Sequence, residues 1–291
     1  MRLLIAIPHF FGATATGQPN LSGHPGLRQQ RLGALAAVLS TLHQNFGGDI
    51  FALDHAGKRA IQIPGEAPHA LDIIVCTTGS SHLLGELDTL RPLFRHHAAE
   101  VPGPLLGFAC HRILAAARGA YDYYGYLEDD ILVTDPMFFV KRQAFDARFG
   151  VPALLQPNRF EAQATGPVRK LYVDHRLHPS MTAAYQDPGD SPPLAMDFAG
   201  RPIRFERTTY PAAGCFFLSA PQLDYWIADP RFGDTDSSFL SPLDSAATLS
   251  VMRRFRTYKP APANAWFLEV LHGSPRWIPS VARDVPLVRD P

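Results

Sequence analysis

The chain has no surplus of either charge: 27 Lys and Arg balance 27 Asp and Glu in 291 residues. Bulk electrostatics therefore gives no case for nucleic acid or an acidic membrane as partner, although basic patches can exist locally. Cysteine is scarce. Cys76, Cys110 and Cys215 lie far apart in apolar segments, form no CxxC or Cys/His spacing, and read as buried thiols of a reducing compartment. Long apolar runs are missing too. Leu3 to Ile7 is shorter than a signal-peptide core, and no segment reaches the ~20 apolar residues of a spanning helix. These absences lead us to expect a cytoplasmic protein, with peripheral contact at the inner face of the membrane left open. The sequence has no G-x-S-x-G elbow and no GxxxxGKS/T loop, which removes serine hydrolases and P-loop proteins. We find no internal repeat and no low-complexity tract.

What is present is an ordinary globular balance, 46% hydrophobic and 19% charged, in a length that suits one large domain or two intimate ones. Residues 2 to 8, RLLIAIP, read as a buried first strand, and residues 11 to 26, rich in Gly, Thr, Pro and Ser, as a mobile loop. The spacing of Leu32, Leu35, Val38, Leu39 and Leu42 predicts an amphipathic helix from Leu27 to Phe46, ended by Gly47-Gly48. A second strand is expected near Asp49 to Leu53. A third, Leu71 to Thr77, has the near-continuous apolar run of a parallel strand buried on both faces. A helix from Phe108 to Ala120 feeds a strand at Tyr123 to Leu127. This alternation predicts a Rossmann-like, mainly parallel sheet flanked by helices. Beyond Pro136 the pattern becomes irregular and Pro-rich, with short strands near Arg169 to His175 and Ile203 to Thr208. Order returns with a strand at Ala213 to Ser219 and helices from about Pro221 and from Leu243 to Phe255. We therefore expect an α/β half, residues 1–140, and an irregular acceptor-side half, residues 141–291, of one compact domain.

The most informative run is Tyr123-Tyr124-Gly125-Tyr126-Leu127-Glu128-Asp129-Asp130-Ile131, an apolar strand ending in three consecutive carboxylates. Adjacent carboxylates repel, and a buried charge is costly unless paired or bound to a metal. An oxygen-only cluster suits Mg²⁺ or Mn²⁺, which completes its shell with water and phosphate oxygens. The competing reading is a solvated acidic turn; the aromatic lead-in favours the cation site. Strand alternation predicts that Glu128 and Asp130 face one way and Asp129 the other.

The stretch Cys110 to Phe139, CHRILAAARGAYDYYGYLEDDILVTDPMFF, resembles the helix, strand and DxD motif of nucleotide-sugar glycosyltransferases of the GT-A fold. Its EDD form is similar to that of the N-acetylglucosaminyltransferases that start complex N-glycans, so a hexosyl or N-acetylhexosaminyl transfer is implied. The likeness covers the opening strand and helix, the acidic run, the strand near Gly214 and a late His, about half the chain. It implies Mn²⁺ or Mg²⁺ as cofactor and a donor such as a UDP-sugar, with a glycan or other hydroxyl as acceptor and no nucleic acid. It also implies Asp130 as the direct metal ligand, Glu128 as a sugar or ribose contact and a further candidate metal ligand, and Asp129 as a metal-water or donor-sugar contact. Glu in first position departs from the commoner Asp and puts the ribose role in doubt.

By the same resemblance Pro8, His9 and Phe10 end the nucleoside-side strand, with Arg28 or Arg31 following the loop; exposed polar positions are the plain alternative for His9 and the arginines. Thr77, Thr78 and Gly79 hold the analogous place after the third strand, or form an ordinary capped turn. His111 and Arg112 open the helix before the motif, where a guanidinium fork suits a diphosphate; we rank Arg112 first, the alternative being a solvent-facing side chain. His272, after the apolar run Phe267 to Leu271, is the candidate third metal ligand or a structural His. Asp244 is the candidate base that takes a proton from the acceptor hydroxyl, or a carboxylate stabilised in a first helical turn, with Asp234 and Asp236 in reserve. Two other classes stay in view: a nucleotidyltransferase, and a non-catalytic nucleotide- or carbohydrate-binding protein. The first fits poorly, because the loop FGATATGQPNLSGHPG carries no Lys or Arg before Arg28.

Overall fold

A computed structural model describes residues 1–12, 25–48, 50–63 and 70–288. The apolar run at the start forms β1 (Arg2–Pro8), and α1 (Arg28–Phe46) follows. Residues 13–24 of the Gly- and Thr-rich loop lie outside the described residues. Next come β2 (Phe51–Asp54), β3 (Arg59–Gln62), β4 (Ala70–Thr77), β5 (Arg95–Ala98), α2 (Leu106–Ala116) and β6 (Tyr123–Leu127). The sheet they build has the order β13-β6-β1-β4-β5, where β13 is Cys215–Ser219. β1 pairs in parallel with β4 and β6, and β4 with β5, whereas β13 adds antiparallel to β6. The mainly parallel α/β sheet expected from the sequence is therefore present.

Both faces of this sheet are buried, as its apolar strands required. Leu3, Ile5 and Ile7 of β1 point into one core with Leu35, Val38, Leu39 and Leu42 of α1. Leu4 and Ala6 point into the other, with Phe108, Ala109 and Leu114 of α2. Gly125 of β6 lies between Ile5 of β1 and Phe217 of β13, and a Cβ there would lie 2.7 Å from both side chains.

One strand assignment is corrected. The segment expected as the sheet's second strand is β2, which pairs with β3 in a separate hairpin whose apolar side chains, Phe51, Leu53 and Ile61, are exposed; Asp49 is outside the described residues. The sheet's outer parallel strand is instead β5, sequence RHHA, which carries no apolar signal because an exposed edge does not require one.

After β6 the chain forms β7 (Ile131–Leu132) and α3 (Phe138–Phe149), which packs Phe138 and Phe139 against Phe217 of β13. The Pro-rich region holds β8 (Ala153–Leu155), β9 (Asn158–Ala162), β10 (Lys170–Tyr172), β11 (Leu194–Phe198) and β12 (Arg201–Arg207). Past β13 follow α4 (Ala220–Ile227), α5 (Pro242–Asp244), a π-helical turn (Ser245–Leu249), α6 (Ser250–Arg254), β14 (Arg256–Pro260) and β15 (Glu269–His272). Two four-stranded sheets result, β10-β9-β15-β7 and β11-β12-β14-β8. The first lays β15 antiparallel to β7, directly after the acidic run.

Candidate functional site

β1, β4 and β6 are parallel, so their carboxyl ends share one edge, the usual location of ligands in such sheets. At that edge the chain leaves β6 in a turn: the Ile131 N–H donates to the Glu128 carbonyl at 3.1 Å. All three acids are nearly buried, each at 9% exposure or less, which sets aside the solvated-turn reading. The turn also corrects the alternation expected of a strand. Asp129 and Asp130 converge on one guanidinium: Arg31 Nη2 donates to Asp129 Oδ1, and Nη1 to Asp130 Oδ2 at 3.1 Å. Arg31 comes from the first turns of α1, whose N-terminal end stands over this edge.

His9, one residue past β1, is fully buried. Its Nε2 accepts the Leu83 N–H at 3.1 Å, so the ring proton sits on Nδ1, which donates to Asp129 Oδ2 at 2.6 Å. With both nitrogens engaged, His9 holds the acidic turn in place. His272 enters through the β15–β7 pairing, which sets it opposite Ile131. Its Nε2 lies 3.5 Å from Asp130 Oδ2, and its Nδ1 is 2.8 Å from Glu161 Oε1. Burial opposes charge on this ring, but the two carboxylates prevail and push its pKa up to about 9. Burial alone would raise Asp130; His272 and Arg31 hold it below the usual carboxylate range.

Glu128 behaves differently. Burial, with the charges of Asp130, Asp244 and Asp129 behind it and Arg159 opposing, pushes its pKa up to about 8, toward the protonated form. Its carboxyl makes no hydrogen bond to another described residue. Gly214 passes beside it with φ +66°, and a Cβ there would lie 3.0 Å from Glu128 Oε2.

The structure thus gathers His9, Arg31, Glu128, Asp129, Asp130 and His272, with Asp244 within electrostatic reach. Asp244 sits in the first turn of α5, where the Ser241 hydroxyl donates to its Oδ2 at 2.5 Å. Pro8 ends β1 opposite Cys76, and Phe10 packs beside Gly103. Other candidates are not brought in. Arg28 pairs with Glu86 at 2.5 Å, and the Thr78 hydroxyl donates to the Val101 carbonyl at 2.5 Å. Arg112 is exposed on α2, with no ion pair among the described residues. Its neighbour His111 is a core side chain caged by Phe108, Tyr126, Phe216 and Trp226; burial lowers its pKa to about 4. Asp234 and Asp236 pair with Arg253.

Sequence reading missed Glu161, which is hydrogen-bonded to His272, and the half-buried Arg159, whose fork pairs with Asp174 at 2.7 and 3.0 Å. Both lie on β9, inside a stretch of Pro-rich connections where no periodicity marks a charged side chain as inward-facing.

Among the described residues no group of three or more His, Cys, Asp or Glu side chains is gathered to hold a metal ion by itself. A cation sharing its shell with phosphate needs fewer protein ligands; Asp130 Oδ2 and, once the cation displaces its Nε2 proton, His272 Nε2 would supply one oxygen and one nitrogen facing each other. The Glu161 contact at Nδ1 is the outer-shell support that a ligating His ordinarily has. Arg31 Nε, buried without a hydrogen-bond partner, leaves a donor for an anion at the same place. The residues fit a divalent ion held together with a phosphate group.

No protein-family model and no curated protein matches the chain. Solved structures that it resembles include S. aureus TarS 1-349 in complex with UDP-GlcNAc, at 10% identity over 95% of this chain and 62% of that one, TM-score 0.44. Mouse xyloside xylosyltransferase 1 is 10% identical over 99% of this chain and 100% of that one, TM-score 0.40. The CMP:2-keto-3-deoxy-manno-octonic acid synthetase complexed with CTP is 13% identical over 90% and 92%, TM-score 0.32. The chain spans between 35% and 62% of the TarS chains it matches. The site stands on its own geometry.

Proposed function

We propose that the chain is a metal-dependent glycosyltransferase that moves a sugar from a nucleotide-diphosphate donor, a UDP-sugar, to a hydroxyl of a glycan, lipid-linked or small-molecule acceptor. The observation that carries this reading is the buried acidic turn at the carboxyl end of β6, facing Arg31 and His272. Asp130 and His272 would hold Mn²⁺ or Mg²⁺, which supplies neutralisation of the departing diphosphate. Arg31 is placed to share that task, since its fork can turn from the carboxylates to phosphate oxygens. Glu128 is placed to contact a ribose or sugar oxygen, and burial favours the protonated, donating form of its carboxyl. Asp244 Oδ1 has no hydrogen bond among the described residues and is available to take the acceptor's proton. Nucleotidyl transfer is the weaker reading, because the loop after β1 brings no Lys or Arg for a triphosphate before Arg28.

A thermal-shift panel of UDP, GDP, CMP and their sugar conjugates, with and without Mn²⁺, tests the class. Binding to the folded state raises the melting point, by an amount equivalent to about 2.7 kcal/mol at a hundredfold excess over Kd. We expect a Mn²⁺-dependent shift with one nucleotide, abolished by Asp130→Ala together with donor hydrolysis. Silence across the panel would sink the proposal, and shifts without any turnover would favour a binding protein.

A further inference from the structure

Glu161 has no exposed surface, yet every part of its carboxylate is engaged. Oε1 accepts from His272 Nδ1 and from the Arg276 N–H, each at 2.8 Å; Oε2 accepts the N–H groups of Trp277 at 2.7 Å and Ile278 at 2.6 Å. Three main-chain amides fix where this carboxylate sits. As an ionised acceptor-only group, it then fixes a hydrogen on Nδ1 of His272. The remaining nitrogen, Nε2, is the one turned toward Asp130 Oδ2. Strand order explains how three residues remote in sequence meet: β9 lies beside β15, and β15 beside β7. The Gly273 N–H donating to the Asp130 carbonyl at 2.7 Å ties the same segment to the acidic turn.

We infer that Glu161 is a positioning residue: it holds His272 so that Nε2 and Asp130 Oδ2 face one divalent ion, an inference that rests on the function proposed above. Its carboxylate touches neither ion nor substrate, so its effect passes entirely through the imidazole. An outer-shell partner of this kind is worth roughly 10- to 100-fold in metal affinity.

The test is Mn²⁺ alone, titrated into the full chain and followed by the electron paramagnetic resonance of the free ion. Glu161→Gln is expected to weaken binding roughly 10- to 100-fold in the wild-type background. In a His272→Ala background the same change is expected to have no further effect. Wild-type affinity in Glu161→Gln would overturn the inference, as would an equal loss in both backgrounds, since the latter means the carboxylate acts only by tying down residues 276–278. If Asp130→Ala and His272→Ala both bind Mn²⁺ like the wild type, the cation seat itself is wrong and the proposed function loses its metal. Should Glu161→Gln fail to fold, nitrogen-15 spectra of the metal-free wild type, taken above the ring's pKa of about 9 so that it is neutral, decide: His272 is expected as the Nδ1–H tautomer, and the Nε2–H tautomer would overturn the inference.

Discussion

Arg31, one of two arginines the sequence offered for the nucleotide side, faces both aspartates of the acidic turn. Its guanidinium donates to both Asp129 and Asp130, two nearly buried carboxylates. Removing one partner of a buried pair leaves its mates uncompensated. Arg31→Met is therefore expected to destabilise the metal-free chain by about 3 kcal/mol in urea unfolding, as such losses usually run. Mn²⁺ should restore part of that loss, because a divalent ion at Asp130 and His272 replaces the missing charge. No recovery at millimolar Mn²⁺ would count against the cation seat. At this scale the sequence was partly legible. The acid triplet could be read, since three carboxylates after a strand demand a countercharge, but the countercharge itself comes from 98 and 99 positions away.

At the level of elements, the π-helical turn after α5 is tied to α2 by His111, whose Nε2 bonds the Ala246 carbonyl at 2.9 Å. Burial keeps this ring neutral, its pKa lowered to about 4 against the ordinary 6.5. Between those values the unfolded chain takes up a proton that the folded one refuses, so stability is lost as pH falls from 6.5 toward 4. The two and a half units correspond to about 3 kcal/mol at most. His111→Gln retains a donor for Ala246 and does not titrate. Its melting temperature is expected to fall less than that of the wild type over this interval in calorimetric scans, and parallel curves would contradict the assignment. The helix was readable from its apolar spacing. Whether His111 or Arg112 faced inward was not, since neighbouring helical positions differ by 100° and the site lay on neither.

Across the whole molecule, one hydrophobic cluster draws residues from Leu3 through to Val270. Phe217 of β13 packs with Phe138 and Phe139 of α3 in the same cluster as Leu3, Ile5 and Ile7 of β1. Phe217→Ala is expected to cost about 3–5 kcal/mol, as buried Phe truncations do, and to shift a single unfolding transition measured by both fluorescence and circular dichroism. Two separable transitions would show that the halves melt independently. Among the described residues no helix is long and apolar enough to cross a membrane, consistent with the absence of long apolar runs.

The sequence by itself determined the parallel α/β sheet and the acidic run at the end of β6, though not the turn that run makes, because apolar periodicity and a charge run are local signals that survive without tertiary context. It misassigned the strand near Asp49 because an apolar run does not state its pairing partner. Only the tertiary structure decided which polar side chains meet: His9 and Arg31 on Asp129, His272 between Asp130 and Glu161. Hydrogen bonds and ion pairs act over a few ångströms of space, and in this fold the strands that supply them are neighbours across more than a hundred residues of chain.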